Sequence, residues 1–393
     1  MIMLSAGRMR DPSTWPTRLL DDWLLTFPAA VTSDKRGSES LVAASGSACK
    51  FGAPGTCLPI AKCEKGVAMP ANADCPKRME FGPCGGVRPD GQCEMRQQPC
   101  GFGDVVPWSG VEVAPRPALA PLVLTDFSAT AFDGGDIAAT ATILGPACDA
   151  VLVGEHQNKP DFPPTLMGRL LLDAGVVPWI TLSCRDRNRV VLEQELRGLS
   201  SIGVDTVLCV TGDGRGYDVR PDVTQTFDLD GPRLVSLAAS VGITPAVPET
   251  PTAPPVHARP ARLFEKQRAG ASLAVLNHVP FPDTIADFVR TARSIGLSIP
   301  VIAAVAVFTD SVSAAVLQGL PGLQLNEAVT EEVLGATDPV AAGITAAVAE
   351  ARALLAIDGV EGVNVSGLAS ASGTRVGAEI KAEVGRRIRA EAL

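Results

Sequence analysis

Cysteines are the first group of residues in this chain whose spacing indicates chemistry. Seven of the ten cysteines lie between positions 49 and 100, in a stretch rich in Gly and Pro that has neither helical nor strand periodicity. Such a stretch buries too little apolar surface to fold without disulfides or a bound metal ion. In a reducing compartment clustered cysteines favour a metal site over disulfides. All three histidines lie elsewhere, so an all-thiolate site for structural zinc or an iron–sulfur cluster is predicted, with free cysteines as the alternative. The predicted metal ligands are Cys49, Cys57, Cys63, Cys75, Cys84, Cys93 and Cys100.

Polar residues that close apolar runs form the second group. The run 206–213 reads TVLCVTGD, is apolar on both faces at first, and ends at Asp213. Asp126 closes an earlier run, and Asn277 with His278 closes a later one. The carboxyl ends of parallel strands are where α/β proteins bind ligands. Carboxylates that converge there can serve as an acid, a base or the partner of a cationic intermediate, whereas His278 is either a base or a rim residue.

The elements that must position these residues follow a regular rhythm. Eight apolar, strand-like runs alternate with stretches of helical period, and most repeats take about 30 residues, which is typical of a (β/α)8 TIM barrel rather than an open doubly wound sheet. The longer interval before the last run is predicted to hold an extra helix. The predicted strands are 121–127, 149–154, 178–184, 206–213, 243–249, 272–278, 300–307 and 362–368.

A Pro- and Ala-rich stretch at 111–122 is predicted to link two domains. Residues 1–110 are expected to form a helix over 11–29 followed by a small cysteine-rich metal-binding domain. Residues 118–393 are expected to form the TIM barrel.

Composition excludes several classes of partner. The formal net charge of −9 argues against nucleic acid, because phosphate binding needs a basic face. No run of 18 or more apolar residues is present, so no membrane span is predicted. The N-terminal residues have no apolar core of signal-peptide length, so a cytoplasmic protein is expected.

Five stretches resemble the methylenetetrahydrofolate reductase family of one-carbon metabolism. In the barrel half these are SCRDRN (183–188), VTGD (210–213), FDLDGPRLV (227–235) and EKQRAGA (265–271). The fifth, CPKRMEFGPCGGVRPDGQCE (75–94), is similar to the cysteine-rich domain that accompanies these reductases, fused or as a partner subunit. The resemblance implies a TIM-barrel oxidoreductase that reduces 5,10-methylenetetrahydrofolate to 5-methyltetrahydrofolate.

The resemblance also assigns roles to residues that contact the substrate. Asp213 falls on the active-site aspartate that lies near the pterin and favours its cationic 5-iminium form. Asp126 falls on the catalytic acid of the first strand, a glutamate in the family, which assists opening of the imidazolidine ring. Asn277 stands at the position of a substrate-binding glutamine, and His278 beside it is included in the substrate site.

The cofactors implied by the resemblance are FAD or FMN together with NADH or NADPH. Lys266 falls on a lysine that contacts the flavin phosphates, and Gly212 belongs to the strand-four motif. Thr181 and Thr211 stand where the family has a flavin-contacting histidine and, in many members, an arginine. The resemblance implies that hydride passes from the nicotinamide to the folate through the flavin, or directly if no flavin is bound. An iron–sulfur cluster would instead admit electrons from a redox protein such as a ferredoxin.

Two further functions are compatible with the same residues. A tetrahydrofolate-dependent methyltransferase or demethylase component would bind folate without hydride transfer and would work with a methyl-transfer protein. The second further function is that of a non-catalytic folate-binding subunit.

Overall fold

The computed structural model describes residues 74–215, 220–320 and 322–392, and within them the predicted barrel is confirmed. Eight parallel strands pair in chain order and close, with the eighth strand beside the first. The strands are β1 (Val123–Phe127), β2 (Ala150–Val153), β3 (Pro178–Ser183), β4 (Thr206–Val210), β5 (Thr244–Glu249), β6 (Leu273–Leu276), β7 (Val301–Phe308) and β8 (Val360–Ala369).

Helices follow the strands, as the helical periods predict. Between β7 and β8 the sequence predicted two helices, the usual one and one extra. The described part of that interval contains three. None of the helices in the described ranges is long and apolar enough to cross a bilayer, and the helix predicted at 11–29 lies outside those ranges. The helices are α1 (Gly134–Leu144), α2 (Pro164–Asp173), α3 (Arg189–Ser201), α4 (Gly231–Ser240), α5 (Arg259–Arg268), α6 (Pro282–Ser294), α7 (Ser311–Gln318), α8 (Glu327–Gly335), α9 (Pro339–Leu355) and α10 (Thr374–Ala392).

Side-chain alternation along the strands separates two apolar cores. Residues such as Val123 and Phe127 face the helices, whereas Leu124 packs inside the barrel with apolar residues of the other strands, among them Trp179 and Val275. Because successive residues of a strand point to opposite faces, the residue two positions after an inward one also points inward. This rule places Asp126, Thr181 and Asn277 above the apolar interior, at the carboxyl end of the barrel, which we call the mouth. The interior residues are Leu124, Ala150, Leu152, Trp179, Leu208, Ala246, Leu273, Val275 and Ile302.

Residues 74–116, here called the cysteine-rich segment, pack along the barrel from the mouth towards the start of β1. The backbone N–H of Trp108 donates to Glu265 Oε2 at 2.6 Å, and the Trp108 ring lies 4.7 Å from that of Phe81. Further along, the N–H of Arg116 donates to Ser272 Oγ at 2.9 Å. Trp108 and Phe81 are buried in the outer barrel core, so the barrel supplies the apolar surface that this segment lacks.

We predict that the close packing of α9 against the end of β7 requires glycine at position 343. An alanine Cβ there would lie 2.4 Å from the carbonyl oxygen of Phe308, whereas one at Gly335 in α8 would meet nothing within 4 Å. Gly343→Ala should lower the free energy of unfolding by about 1–3 kcal/mol, as overpacked cores do. The control Gly335→Ala should leave it unchanged or raise it by up to about 1 kcal/mol. Urea unfolding followed by circular dichroism measures both, and equal stabilities of the two variants would contradict this packing.

Candidate active site

A cavity of about 350 Å³ opens at the mouth and is lined mainly by residues at the carboxyl ends of β2 to β6. Its volume is near the lower end of the range of roughly 300–1,000 Å³ found for small-molecule pockets. We call it the Asp213 cavity. It brings together six of the residues that the sequence assigned to substrate or cofactor: Thr181, Thr211, Gly212, Asp213, Lys266 and Asn277.

The turn after β4 aims Asp213 into this cavity. Gly212 has a φ of +91°, in the left-handed region that favours glycine. A Cβ at Gly212 would lie 2.2 Å from Ser183 Oγ on β3, so the two strand ends approach too closely for any side chain at this position. Thr211 Oγ1 accepts a hydrogen bond from the N–H of Gly231 at 2.9 Å, which ties the turn to the start of α4. Among the described residues none donates a hydrogen bond to the Asp213 carboxylate, which is therefore available to a ligand.

Two charged residues of the cysteine-rich segment contact the turn that carries Asp213, and the sequence reasoning missed both. Lys77 Nζ donates to the carbonyl oxygen of Gly212 at 2.7 Å and forms an ion pair with Glu94. Glu94 Oε1 in turn accepts from the N–H of Gly214 at 2.7 Å. Burial alone would lower the pKa of Lys77, but the negative groups around it, including Glu94 and Asp213, raise it above its ordinary value. The sequence carried no signal that separates these two residues from the other four charged residues of the stretch 75–94.

A buried ion cluster forms the wall beside β5. Glu249 faces outward from the strand and lies 3.4 Å from Arg259, 3.1 Å from Arg262 and 2.8 Å from Lys266. Burial would raise the pKa of Glu249, but these three cations lower it to about 2. Burial and the neighbouring Arg262 lower the pKa of Lys266 to about 7, against the opposing effect of Glu249. Lys266 Nζ also donates to the carbonyl oxygen of Pro248, so two of its three donors are already used inside the protein.

Asp126 points inward from β1, as expected, but does not line the Asp213 cavity. Its carboxylate accepts hydrogen bonds from Asn364 Nδ2 at 2.9 Å, from Ser366 Oγ at 2.6 Å and from the N–H of Gly367 at 3.2 Å. All three donors belong to β8. The structure therefore ties this acid to the neighbouring strand.

His278 lies on the opposite face of its strand from Asn277. Its Nε2 is 2.7 Å from Glu350 Oε1 and its Nδ1 is 2.7 Å from the carbonyl oxygen of Gln324. These groups lie at a separate, largely apolar cavity of about 580 Å³ beside α8 and α9. Asn277 instead donates to Thr250 Oγ1 at 2.9 Å and lines the Asp213 cavity. Adjacent residues of an extended chain diverge in this way, so the two predicted substrate residues do not share one site.

Glu155, just after β2, is a further acid that the sequence reasoning did not single out. It lines both the Asp213 cavity and an adjoining cavity of about 440 Å³. Its Oε1 accepts from Arg187 Nη1 at 2.6 Å. Burial raises the pKa of Glu155 even though Arg187 opposes the shift. Its position directly after the apolar run 149–154 was the signal that would have identified it.

The four described cysteines of the predicted metal site line one cavity of only about 30 Å³. Within the described ranges, no three His, Cys, Asp or Glu side chains are arranged to hold a metal ion. Cys49, Cys57 and Cys63 lie outside those ranges, so the metal site stays a prediction. The cavity-lining cysteines are Cys75, Cys84, Cys93 and Cys100.

Comparison with solved structures places the fold among known barrels. An uncharacterized protein from Clostridium thermocellum, described as binding two copies of 5-methyl-5,6,7,8-tetrahydrofolic acid, matches with a TM-score of 0.53 at 14% identity, over 70% of this chain and 96% of that one. Tryptophan synthase from M. tuberculosis in its aminoacrylate-bound form matches with a TM-score of 0.39 at 14% identity, over 68% of this chain and 93% of that one. Among proteins with curated functions, none matches this chain.

Comparison with protein families is more specific. The family model described as methylenetetrahydrofolate reductase matches residues 158–371, which is more than half of the chain. The matched range contains Asp213, Lys266 and Asn277 but begins after the cysteine-rich stretch 75–94, whose resemblance stays a prediction. By this match, the chain belongs to the methylenetetrahydrofolate reductase family.

Proposed function

We propose that the protein reduces 5,10-methylenetetrahydrofolate to 5-methyltetrahydrofolate with hydride from NADH or NADPH. The observation that carries the proposal is the convergence of Asp213 and Asn277 on one cavity at the barrel mouth, within the family-matched range. The Clostridium thermocellum protein of similar fold, described as binding 5-methyltetrahydrofolic acid, supports a barrel of this kind as a folate site.

The proposed reaction has two steps whose atoms and electrons balance. Cleavage of the bond between the methylene carbon and N10 leaves a cationic iminium at N5, and an acid supplies the proton that N10 takes up. Hydride then moves from the nicotinamide to the methylene carbon, giving the methyl group and the oxidised nucleotide. The Asp213 carboxylate stabilises the iminium, because opposite charges attract strongly in a partly dehydrated site. The Asn277 amide offers hydrogen bonds that orient the pterin ring.

Three of the residues assigned to the flavin are constrained by contacts within the protein. Lys266 is paired with Glu249, and the Thr211 hydroxyl accepts a bond from the start of α4. The space next to Gly212 is filled by Ser183 and Arg185. We therefore propose direct hydride transfer from the nicotinamide, without a flavin.

The same lack of flavin contacts favours one alternative, a tetrahydrofolate-dependent methyltransferase or demethylase component. Both functions need a folate site, and they differ in whether the nicotinamide is oxidised. A direct assay of the purified protein separates them.

We predict nicotinamide-dependent formation of 5-methyltetrahydrofolate that depends on Asp213. Asp213→Asn should lower turnover by about 10²–10³-fold, because the charge that stabilises the iminium is lost. The matched control Asp287→Asn changes an exposed acid of α6 and should leave turnover unchanged. Product is measured by chromatography after incubation with methylenetetrahydrofolate and NADH or NADPH. Wild-type protein without nicotinamide oxidation would exclude the reductase, and full activity of Asp213→Asn would exclude the assigned site.

We predict that this activity needs no flavin. The purified protein should show no stoichiometric flavin absorbance, and adding FMN or FAD should not raise the rate, because the groups assigned to the flavin are engaged within the protein. Absorbance spectra and assays with and without added flavin test this. Stoichiometric flavin that copurifies and supports turnover would contradict direct transfer.

Two carboxyl groups, those of Asp126 and Glu155, are candidates for the acid that protonates N10 during ring opening. Asp126 was assigned this role from the sequence, but its oxygens accept three hydrogen bonds from β8 and it lies outside the Asp213 cavity. Glu155 lines the cavity, and burial raises its pKa. A raised pKa holds more of a carboxyl group in the protonated form that an acid catalyst needs. We therefore propose Glu155 for the role.

We predict that Glu155→Gln lowers turnover by about 10²-fold or more, in line with the loss of a general acid. The amide oxygen can still accept a hydrogen bond from Arg187, although the ion pair with Arg187 is lost. Asp126→Asn should change turnover much less when the rate is referred to folded protein, since it lies outside the cavity. Rates and circular dichroism of both variants are compared. A larger loss in Asp126→Asn than in Glu155→Gln would return the role to Asp126.

A further inference from the structure

We infer that Lys77 and Glu94 of the cysteine-rich segment are positioning residues that hold Asp213 in its working place. The inference rests on the proposed function, in which Asp213 stabilises the cationic substrate. It adds to the reductase site two residues from outside the barrel, beyond the matched range 158–371. We call the pair the Lys77–Glu94 clamp.

The clamp binds the backbone on both sides of Asp213. Lys77 Nζ donates to the carbonyl oxygen of Gly212 at 2.7 Å, one residue before Asp213. Glu94 Oε1 accepts from the N–H of Gly214 at 2.7 Å, one residue after it. The two side chains also form an ion pair with each other. The three interactions close a ring around the turn, so rotation of the peptides at 212 and 214 would break at least one of them.

The clamp is buried, which makes these interactions stronger than they would be in water. The exposed fractions of the two side chains are 3% for Lys77 and 11% for Glu94. A buried ion pair is held tightly, because removing one partner leaves an uncompensated charge in a poorly solvated place. Such a contact fixes geometry more firmly than a solvent-exposed pair does.

Glycines on both sides let the clamp approach the turn. A Cβ at Gly86 would lie 1.4 Å from Glu94 Oε2, and one at Gly214 would lie 2.2 Å from Met95 Cγ. A side chain at either position would have to displace the side chain of Glu94 or Met95. The Gly-rich sequence of the segment thus serves close approach to the catalytic turn.

Lys77 also lines the Asp213 cavity, but its Nζ is directed to backbone oxygen and to Glu94. Its charge is balanced by Glu94, so the pair presents little net charge to a cationic substrate. The role that the contacts support is to fix the Asp213 backbone. Precise placement of a catalytic group matters, since a misplacement of about 1 Å can reduce a rate about 10²-fold.

The test compares a double substitution in two backgrounds. Lys77→Met/Glu94→Gln removes both charges together and so avoids an unpaired buried ion. In the wild-type background it should lower the rate about 10–100-fold. In the Asp213→Asn background it should cause no further loss, because the group that the clamp positions is already gone. The control Arg96→Met removes an exposed cation of the same segment and should have no effect in either background.

Amide hydrogen exchange of the peptide 208–215 gives a readout independent of activity. Exchange at 212–214 should be faster in Lys77→Met/Glu94→Gln than in wild type, while the global unfolding transition stays cooperative. An equal loss of rate in both backgrounds, or unchanged exchange, would overturn the inference. If the wild-type protein oxidises no nicotinamide, the proposed function fails, and the exchange result alone still decides whether the clamp holds the turn.

Discussion

The turn after β4 is the constraint on which the candidate active site depends. Gly212 has left-handed backbone geometry, and Ser183 occupies the space that a side chain there would need. β4 ends at Val210, and this glycine lets the turn bring Asp213 to the mouth. The protein fixes this acid through backbone contacts to its neighbours. Its carboxylate accepts no hydrogen bond from the described residues, in contrast to Asp126, whose oxygens are engaged by β8.

Charged groups are paired inside the protein on two sides of the cavity, and on the side of β5 the cations outnumber the carboxylate. Glu249 is surrounded by three cations on α5, and Lys77 is paired with Glu94. A phosphate bound there would compete with the Glu249 carboxylate for these cations, but among the described residues the buried Nε of Arg262 has no hydrogen-bond partner. The Asp213 carboxylate, which forms no ion pair with any of the described residues, instead favours a ligand that develops positive charge. The side of the cavity at Asp213 thus suits the proposed iminium, whereas the side beside β5 carries positive charge.

Periodicity in the sequence was sufficient to predict the barrel, because strands buried on both faces read as short apolar runs and helices as amphipathic ones. It also located Asp213 and Asn277 correctly at the mouth. It did not separate Asn277 from His278, since adjacent residues belong to opposite faces only once the exact strand is known. Nor could it show that Lys77 reaches the mouth, because that contact joins positions 135 residues apart in sequence. Local patterns carry no information about such pairings.

The cysteine-rich segment and the active site are coupled through the surface they share. The sequence indicated that this stretch needs stabilising contacts beyond its own apolar surface. In the described residues the barrel provides such contacts. Met79, Phe81, Val87 and Trp108 are buried, and Arg259 donates to the carbonyl oxygens of Pro83 and Cys84. Arg259 belongs to the same ion cluster that lines the cavity wall beside β5. Loss of this docking would remove Lys77 and Glu94 from the turn at the same time. Folding of the segment and placement of Asp213 are therefore linked, whether or not a metal adds to the stability of the segment.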